Sequence, residues 1–94
     1  MKIGFIGLGN MAEAMIGGML GTGGFRADEI VGSAKTKETV DRVCGKYEIT
    51  AGTDNRETAK QADVLILAVK PVFLAEVIAE IREFVDGENM LVIS

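Results

Sequence analysis

The sequence of 94 residues contains no histidine and a single cysteine, Cys44. Without histidine, neither a serine–histidine nor a cysteine–histidine catalytic pair can form, and no cluster with the ligand spacing of a zinc site is present. A single cysteine excludes a disulfide within the chain and is typical of a reducing compartment, so the sequence favours a cytoplasmic location. Cys44 falls on the apolar stripe of a predicted helix, and we interpret it as a small core residue rather than a reactive thiol.

Excess positive charge and long apolar runs are also lacking. The chain has 10 Lys and Arg residues against 14 Asp and Glu residues, which argues against the basic surface that nucleic-acid binding requires. No apolar run approaches the roughly 20 residues of a membrane span, and a strand begins directly after Met1-Lys2, which predicts neither a signal nor a transit peptide. The length suits one small domain and is too short for two domains of ordinary size.

Strand and helix patterns alternate along the whole chain. Strands are predicted at 2–6, 29–33, 48–51, 63–69 and 90–93. Helices are predicted at 10–20, at 36–46, from Thr53 or Asp54 to Gln61, and from Pro71 to an end at Asp86-Gly87. Strands one and four are apolar throughout, as strands buried on both faces of a parallel sheet are. The pattern predicts an α/β fold with a parallel sheet, and right-handed connections leave few strand orders for it. If the fold is the Rossmann-like doubly wound one, the order is 3-2-1-4-5, with the chain ending at strand five.

Helical spacing of apolar residues predicts which helix faces enter the core. In the first helix, Met11, Ala14, Met15, Gly18 and Met19 recur at the spacing of one continuous face, which we expect to pack on the sheet. The last helix has a wider stripe, made of Leu74, Val77, Ile78, Ile81 and Val85.

The first strand runs directly into a Gly-x-Gly-x-x-Ala sequence that opens the first helix. Gly7 allows the chain to turn sharply, Gly9 allows the backbone to approach a pyrophosphate, and Ala12 is small enough for close packing of helix on sheet. The N–H groups and positive dipole end of the helix then face the phosphates. A lone glycine-rich turn is weak evidence, but the strand before it and the helix after it predict a dinucleotide-binding site.

The end of strand two indicates which dinucleotide is bound. NAD-preferring folds usually carry an acidic residue there, whereas this sequence reads Gly32-Ser33-Ala34-Lys35-Thr36-Lys37. Hydroxyls and lysines accept a 2′-phosphate that a carboxylate would repel, so the sequence favours NADP(H), with NAD(H) possible. The alternative is that both lysines are simply solvated at the start of a helix. Lys70, at the end of strand four, is interpreted as a loop residue rather than a catalytic one.

The sequence resembles the N-terminal domain of the pyrroline-5-carboxylate reductases over essentially its whole length. The resemblance is carried by Gly7-Leu8-Gly9-Asn10-Met11-Ala12 with Ala14 and Gly17-Gly18, by Asp54-Asn55, by Ala62-Asp63-Val64 and by Leu67-Ala68-Val69-Lys70-Pro71. The related β-hydroxyacid dehydrogenases usually have glycine in place of Ala12 and lack the Val-Lys-Pro segment. The resemblance implies an oxidoreductase that reduces 1-pyrroline-5-carboxylate to L-proline with NADPH or NADH, the last step of proline biosynthesis.

The resemblance also implies a role for each matching residue. The pyrophosphate would be held by Leu8, Gly9, Asn10 and Met11 after the turn at Gly7; the 2′-phosphate by Ser33 and Lys35; the adenosine ribose by Asn55; and the nicotinamide side by Ala68, Val69 and Lys70. No catalytic residue and no metal ligand are assigned to this chain.

In that family a C-terminal helical domain binds the imine substrate and makes the contacts of the oligomer. The resemblance therefore implies that residues 1–94 are the cofactor-binding part of a longer homo-oligomeric enzyme and are nearly inactive alone. Two alternatives remain: another NADP-dependent reductase of the 6-phosphogluconate and β-hydroxyacid dehydrogenase superfamily, such as a deazaflavin-linked one, or a non-catalytic nucleotide-sensing domain.

Overall fold

The computed structural model describes residues 1–85 and the backbone of residues 90–92. Five parallel strands form one sheet in the order β3-β2-β1-β4-β5. The strands are β1 (Ile3–Ile6), β2 (Ile30–Ser33), β3 (Thr50–Gly52), β4 (Val64–Leu67) and β5 (Met90–Val92). The predicted α/β class and the order of the first four strands are confirmed. The fifth predicted strand included Ile93, which lies outside the described residues.

Four helices connect the strands, and local chemistry explains where each begins. They are α1 (Asn10–Gly21), α2 (Lys37–Tyr47), α3 (Asn55–Gln61) and α4 (Pro71–Ile81). The Thr36 hydroxyl accepts a hydrogen bond from the Thr39 N–H at the start of α2, and the Asp54 carboxylate accepts one from the Arg56 N–H at the start of α3. Pro71 takes the first position of α4, where no N–H is needed.

The last helix is shorter than predicted. α4 ends at Ile81 and a 3₁₀ turn, Arg82–Phe84, follows it. The predicted end at Asp86-Gly87 lies outside the described residues. No helix within the described part of the chain has both the length and the apolar character that crossing a membrane requires.

Helices cover both faces of the sheet, so two cores form. On one face, Phe5 and Ile30 of the sheet pack with Ile16 of α1 and Val43 of α2. The core on the other face joins the sheet to α3 and α4 and consists of Ile6, Ala59, Leu65, Leu67, Val77 and Ile81. Because the middle strands are buried on both sides, they need continuous apolar sequence, which is the pattern that identified them.

The predicted core face of α1 is wrong. Ala12 and Ile16 are fully buried, whereas Met11 is 46% exposed and Ala14 and Gly18 are also exposed. Met15 and Met19 are partly buried at the edge of the core. Apolar residues lie all round this helix, so their spacing does not select one face, and the fit of Ala12 and Ile16 on the sheet decides which side packs.

Candidate functional site

The turn between β1 and α1 brings the glycine-rich loop to the carboxyl end of the sheet. Gly7 has φ +97°, and its N–H donates to the Ser33 carbonyl at 2.9 Å. A Cβ placed on Gly7 would lie only 2.4 Å from the carbonyl oxygen of Ala68, whereas a Cβ on Gly9 would meet no atom within 4 Å. Glycine is therefore required at position 7 by the turn itself, whereas Gly9 leaves open space at the start of α1.

The start of α1 presents N–H groups to this open space. The first intrahelical bond runs from the Glu13 N–H to the Gly9 carbonyl, so the three N–H groups before it have no partner inside the helix. Gly9 occupies the N-cap position and has no side chain with which to cap them. Such a helix start is suited to a phosphate group.

The end of β2 joins two further parts of the site. Ser33 is fully buried, and its hydroxyl donates to the Asn55 side-chain oxygen at 2.7 Å; the Asn55 amide in turn donates to Glu80 at 2.8 Å. Lys35 is exposed, and its ammonium lies 3.3 Å from the centre of the Phe73 ring, in the geometry of a cation–π contact. Ser33 thus orients Asn55, and Lys35 and Phe73 meet across the site.

The end of β4 forms the opposite wall. The Ala68 N–H donates to the Ile6 carbonyl at 2.8 Å, which holds the chain next to the glycine-rich loop as it leaves the sheet. Ala68 and Val69 are partly exposed, and Lys70 is an exposed residue at the N-cap of α4.

The glycine-rich loop, the end of β2 and the end of β4 form the walls of an open cleft of about 350 Å³. Its lining comes from three segments that follow β1, β2 and β4 in the sheet: Gly7, Leu8, Gly9, Ala34, Lys35, Thr36, Thr39, Arg42, Ala68, Val69, Lys70 and Phe73. The Leu8 side chain is buried in the core, so this residue offers its backbone to the cleft. Among the described residues, the lining has three cationic side chains and no carboxylate. The cleft is therefore suited to an elongated, apolar and anionic ligand.

Two smaller hollows extend the cleft. One of about 210 Å³ lies between Asn10 and Met11 on α1 and the segment 68–71. The other, of about 260 Å³, is shared by Lys35, Asn55 and Phe73 and includes Glu76 and Glu80. Every predicted cofactor residue except Ser33 lines the cleft or one of these hollows, and Ser33 lies beneath Asn55. Their roles towards a cofactor stay predictions.

Several residues of the site escaped the sequence analysis. Thr39 and Arg42 follow Thr36 at every third residue along the start of α2 and line the cleft with it, a spacing that could have identified them. Phe73 follows in the first turn of α4. Lys37, predicted as a partner of the 2′-phosphate, instead pairs with Asp41 at 3.2 Å along the exposed side of α2.

A buried carboxylate lies behind the cleft. The Glu13 side chain is 10% exposed and accepts a hydrogen bond from the Arg42 guanidinium; the Lys46 ammonium lies 3.7 Å from it and the Tyr47 hydroxyl 3.4 Å. The hydrogen bond from Arg42 lowers the pKa of Glu13 below its ordinary value of 4.5, against the opposing effect of burial. Glu13 is thus ionised at neutral pH.

A second ion pair stands at the start of α3, beside Asn55. Hydrogen bonds from the Arg56 side chain and backbone N–H lower the pKa of Asp54, and the Asp54 carboxylate raises the pKa of Arg56. Both groups are well exposed and serve the helix cap. Within the described ranges, no three Asp, Glu or Cys side chains gather in a way that would hold a metal ion.

Comparisons with known proteins give one family and a consistent group of relatives. The family model described as "NADP oxidoreductase coenzyme F420-dependent" matches residues 2–94. Pyrroline-5-carboxylate reductase 2 of Bacillus subtilis is 37% identical over 94 residues, covering 99% of this chain and 33% of its own length. The structure of a pyrroline-5-carboxylate reductase from Coxiella burnetii matches with a TM-score of 0.87 and 29% identity, covering 98% of this chain and 35% of that one.

A second structure, of Plasmodium falciparum pyrroline carboxylate reductase with NADP bound, matches with a TM-score of 0.71 and 24% identity. It covers 97% of this chain and 31% of that one, and at this identity it shows the fold alone. The chain thus spans about a third of the length of the relatives it matches.

Proposed function

Since the chain belongs to the family described as "NADP oxidoreductase coenzyme F420-dependent", we propose that residues 1–94 are the NADP(H)-binding domain of a pyrroline-5-carboxylate reductase. The complete enzyme would reduce 1-pyrroline-5-carboxylate to L-proline. The relatives named above support this assignment, since they carry that name and align with nearly the whole chain. The domain would have a five-stranded sheet of order 3-2-1-4-5, with Met90–Val92 as its fifth strand.

The observation that carries the proposal is the cleft at the carboxyl ends of β1, β2 and β4, which joins a phosphate-binding helix start to a cationic lining. Ligands of open parallel sheets bind at this position, where the strand order reverses. The pyrophosphate would lie against Gly9, Asn10 and Met11, where a Cβ on Gly9 would meet no protein atom and would instead stand in the ligand's space. Lys35 would meet the 2′-phosphate.

The remaining predicted residues divide between the two ends of the cofactor. Asn55, oriented by Ser33, would contact the adenosine ribose. Ala68, Val69 and Lys70 would line the nicotinamide side, and Gly7 would keep that wall close to the loop. The cofactor supplies the hydride; the residues of this chain bind it, hold its ribose and pyrophosphate in place and leave its reactive end open.

The imine substrate would bind to the part of the enzyme that this chain does not span. The domain supplies positioning of the cofactor, which is one half of the arrangement that hydride transfer requires. By the same proposal the whole enzyme is a cytoplasmic homo-oligomer that takes a small-molecule substrate. Residues 1–94 alone would bind NADP(H) with little or no turnover.

A second candidate is favoured by the family description itself, which names oxidoreductases dependent on coenzyme F420. Such an enzyme would transfer the hydride between NADP(H) and a deazaflavin, using the same cofactor cleft. Reduction of a deazaflavin by NADPH in the presence of the complete enzyme, without reduction of 1-pyrroline-5-carboxylate, would decide for this candidate.

The test of the proposed cofactor is a calorimetric titration of the purified protein with NADPH and, separately, with NADH. We expect both to bind and NADPH to bind more tightly. Lys35→Asp should weaken NADPH binding by at least about tenfold, because it removes one charge-assisted hydrogen bond and places a carboxylate beside the 2′-phosphate, and it should not weaken NADH binding. Lys37→Asp is the matched control, because it makes the same change of charge on a residue that pairs with Asp41 on the exposed side of α2.

Two results would contradict the proposal. If neither cofactor binds, the glycine-rich turn is only structural. Equal losses of NADPH and NADH affinity in Lys35→Asp would show that Lys35 does not recognise the 2′-phosphate.

A further inference from the structure

Arg42 occupies a place in the cleft that the sequence did not predict. It lies in the second turn of α2, and its side chain lines the cleft together with Lys35, Thr36 and Thr39. These four residues form the wall that follows β2, next to Gly9 of the glycine-rich loop. The Arg42 side chain lines the cleft and is 54% exposed.

The position of the guanidinium is set by Glu13. One of its nitrogens donates to the Glu13 carboxylate, which belongs to the first turn of α1 and is almost completely buried. A guanidinium has five N–H donors in a planar fork, so a bond to one carboxylate leaves others available to a second anion. Lys46 and Tyr47 contact the other oxygen of Glu13, which keeps that carboxylate fixed and ionised.

We infer that Arg42, held in place by Glu13, is a second cation for the 2′-phosphate and determines the preference for NADPH together with Lys35. This inference rests on the proposed function, since it concerns the same cofactor cleft. A 2′-phosphate carries close to two negative charges, and Lys35 alone balances only part of them. A guanidinium adds planar, bidentate recognition of the phosphate, which lysine cannot provide.

The hydrogen bond between Arg42 and Glu13 explains why an acidic residue lies close to a proposed anion site. Glu13 accepts a hydrogen bond from Arg42 and does not itself line the cleft, so it can orient the guanidinium without lining the site of the phosphate. Glu13 is therefore a positioning residue, and Arg42 is the residue expected to touch the cofactor.

The first experiment measures the affinities of wild type and Arg42→Ala for NADPH and NADH. The expected result is a loss of about tenfold or more in NADPH affinity with NADH affinity within about twofold of wild type. The control is Lys46→Ala, which makes the same change of charge and also removes a cation from Glu13, but outside the cleft. It should leave the ratio of the two affinities as in wild type.

The second variant tests positioning. Glu13→Gln keeps the shape of the side chain and removes the charge that holds the guanidinium, so NADPH affinity should fall by about threefold while NADH affinity holds. Double substitution of Glu13 and Arg42 should then cost no more than Arg42→Ala alone, because the role of Glu13 acts through Arg42.

Each other outcome has a definite meaning. Unchanged NADPH affinity in Arg42→Ala, or equal losses for both cofactors, would overturn the assignment of Arg42 while the proposed function stands. Tighter NADPH binding in Glu13→Gln would overturn the positioning role. If wild type binds neither cofactor, the inference and the proposed function both fail.

Discussion

Gly7 and Gly9 stand two residues apart in one loop, yet the structure predicts opposite consequences for replacing them with alanine. At Gly7 the backbone has φ +97°, which an alanine adopts only with strain of about 1 to 3 kcal/mol. Its Cβ would also lie 2.4 Å from the carbonyl oxygen of Ala68. Neither backbone segment can move away without losing a hydrogen bond, because the Gly7 N–H donates to the Ser33 carbonyl and the Ala68 N–H to the Ile6 carbonyl.

Forcing atoms into a packed site costs roughly another 1 to 3 kcal/mol, so we expect Gly7→Ala to lower the free energy of unfolding by about 2 to 6 kcal/mol. For a domain of this size the Tm should fall by about 8 °C or more. At Gly9 the added Cβ meets no atom within 4 Å, and alanine there costs only about 1 kcal/mol as a poorer N-cap than glycine. That methyl group would occupy the space of the pyrophosphate, so Gly9→Ala should lose about tenfold or more in NADPH affinity.

The assay is thermal and urea unfolding followed by circular dichroism, with NADPH titration of whichever variant folds. A Tm of Gly7→Ala within about 4 °C of wild type would refute the argument that the Ala68 carbonyl is locked in place. Wild-type NADPH affinity in Gly9→Ala would show that the cofactor does not approach this residue.

Two further predictions concern buried polar groups. Because the folded-state pKa of Glu13 lies below 4.5, its stabilising effect is complete above that pH and is lost as the pH falls through the lowered value. The free energy of unfolding of Glu13→Gln should therefore be about 1 kcal/mol lower than that of wild type at pH 7 and equal to it in acid. A difference that persists at low pH would contradict the ion pair with Arg42. Ser33→Ala removes the hydroxyl that donates to Asn55 and should cost about 1 kcal/mol, seen as a fall of about 4 to 8 °C in Tm. An unchanged Tm would show that this bond does not stabilise the fold.

The main architecture was accessible from the sequence because its signals are local. Continuous apolar runs identified β1 and β4, and Pro71 and Asp54 marked the starts of α4 and α3. Right-handed crossovers then leave few ways to order four parallel strands, and the order β3-β2-β1-β4 is the one observed. The positions of the glycine-rich loop and of the β4 end in the cleft follow from that order alone.

The face of α1 could not be predicted in the same way. A helix with apolar residues all round offers no periodic signal, so the packing of Ala12 and Ile16 against the sheet decides its rotation. That rotation exposes Met11 beside the cleft and turns Glu13 towards α2.

The sequence by itself identified the strands, the turn at Gly7 and the absence of an acidic residue after β2, because each depends on residues adjacent in the chain. Only the tertiary structure decided that Ser33 lies beneath Asn55, that Lys35 meets Phe73 and that Glu13 holds Arg42 at the cleft. These pairs join residues 22 to 38 positions apart on different elements, and such contacts exist only once the helices have packed on the sheet.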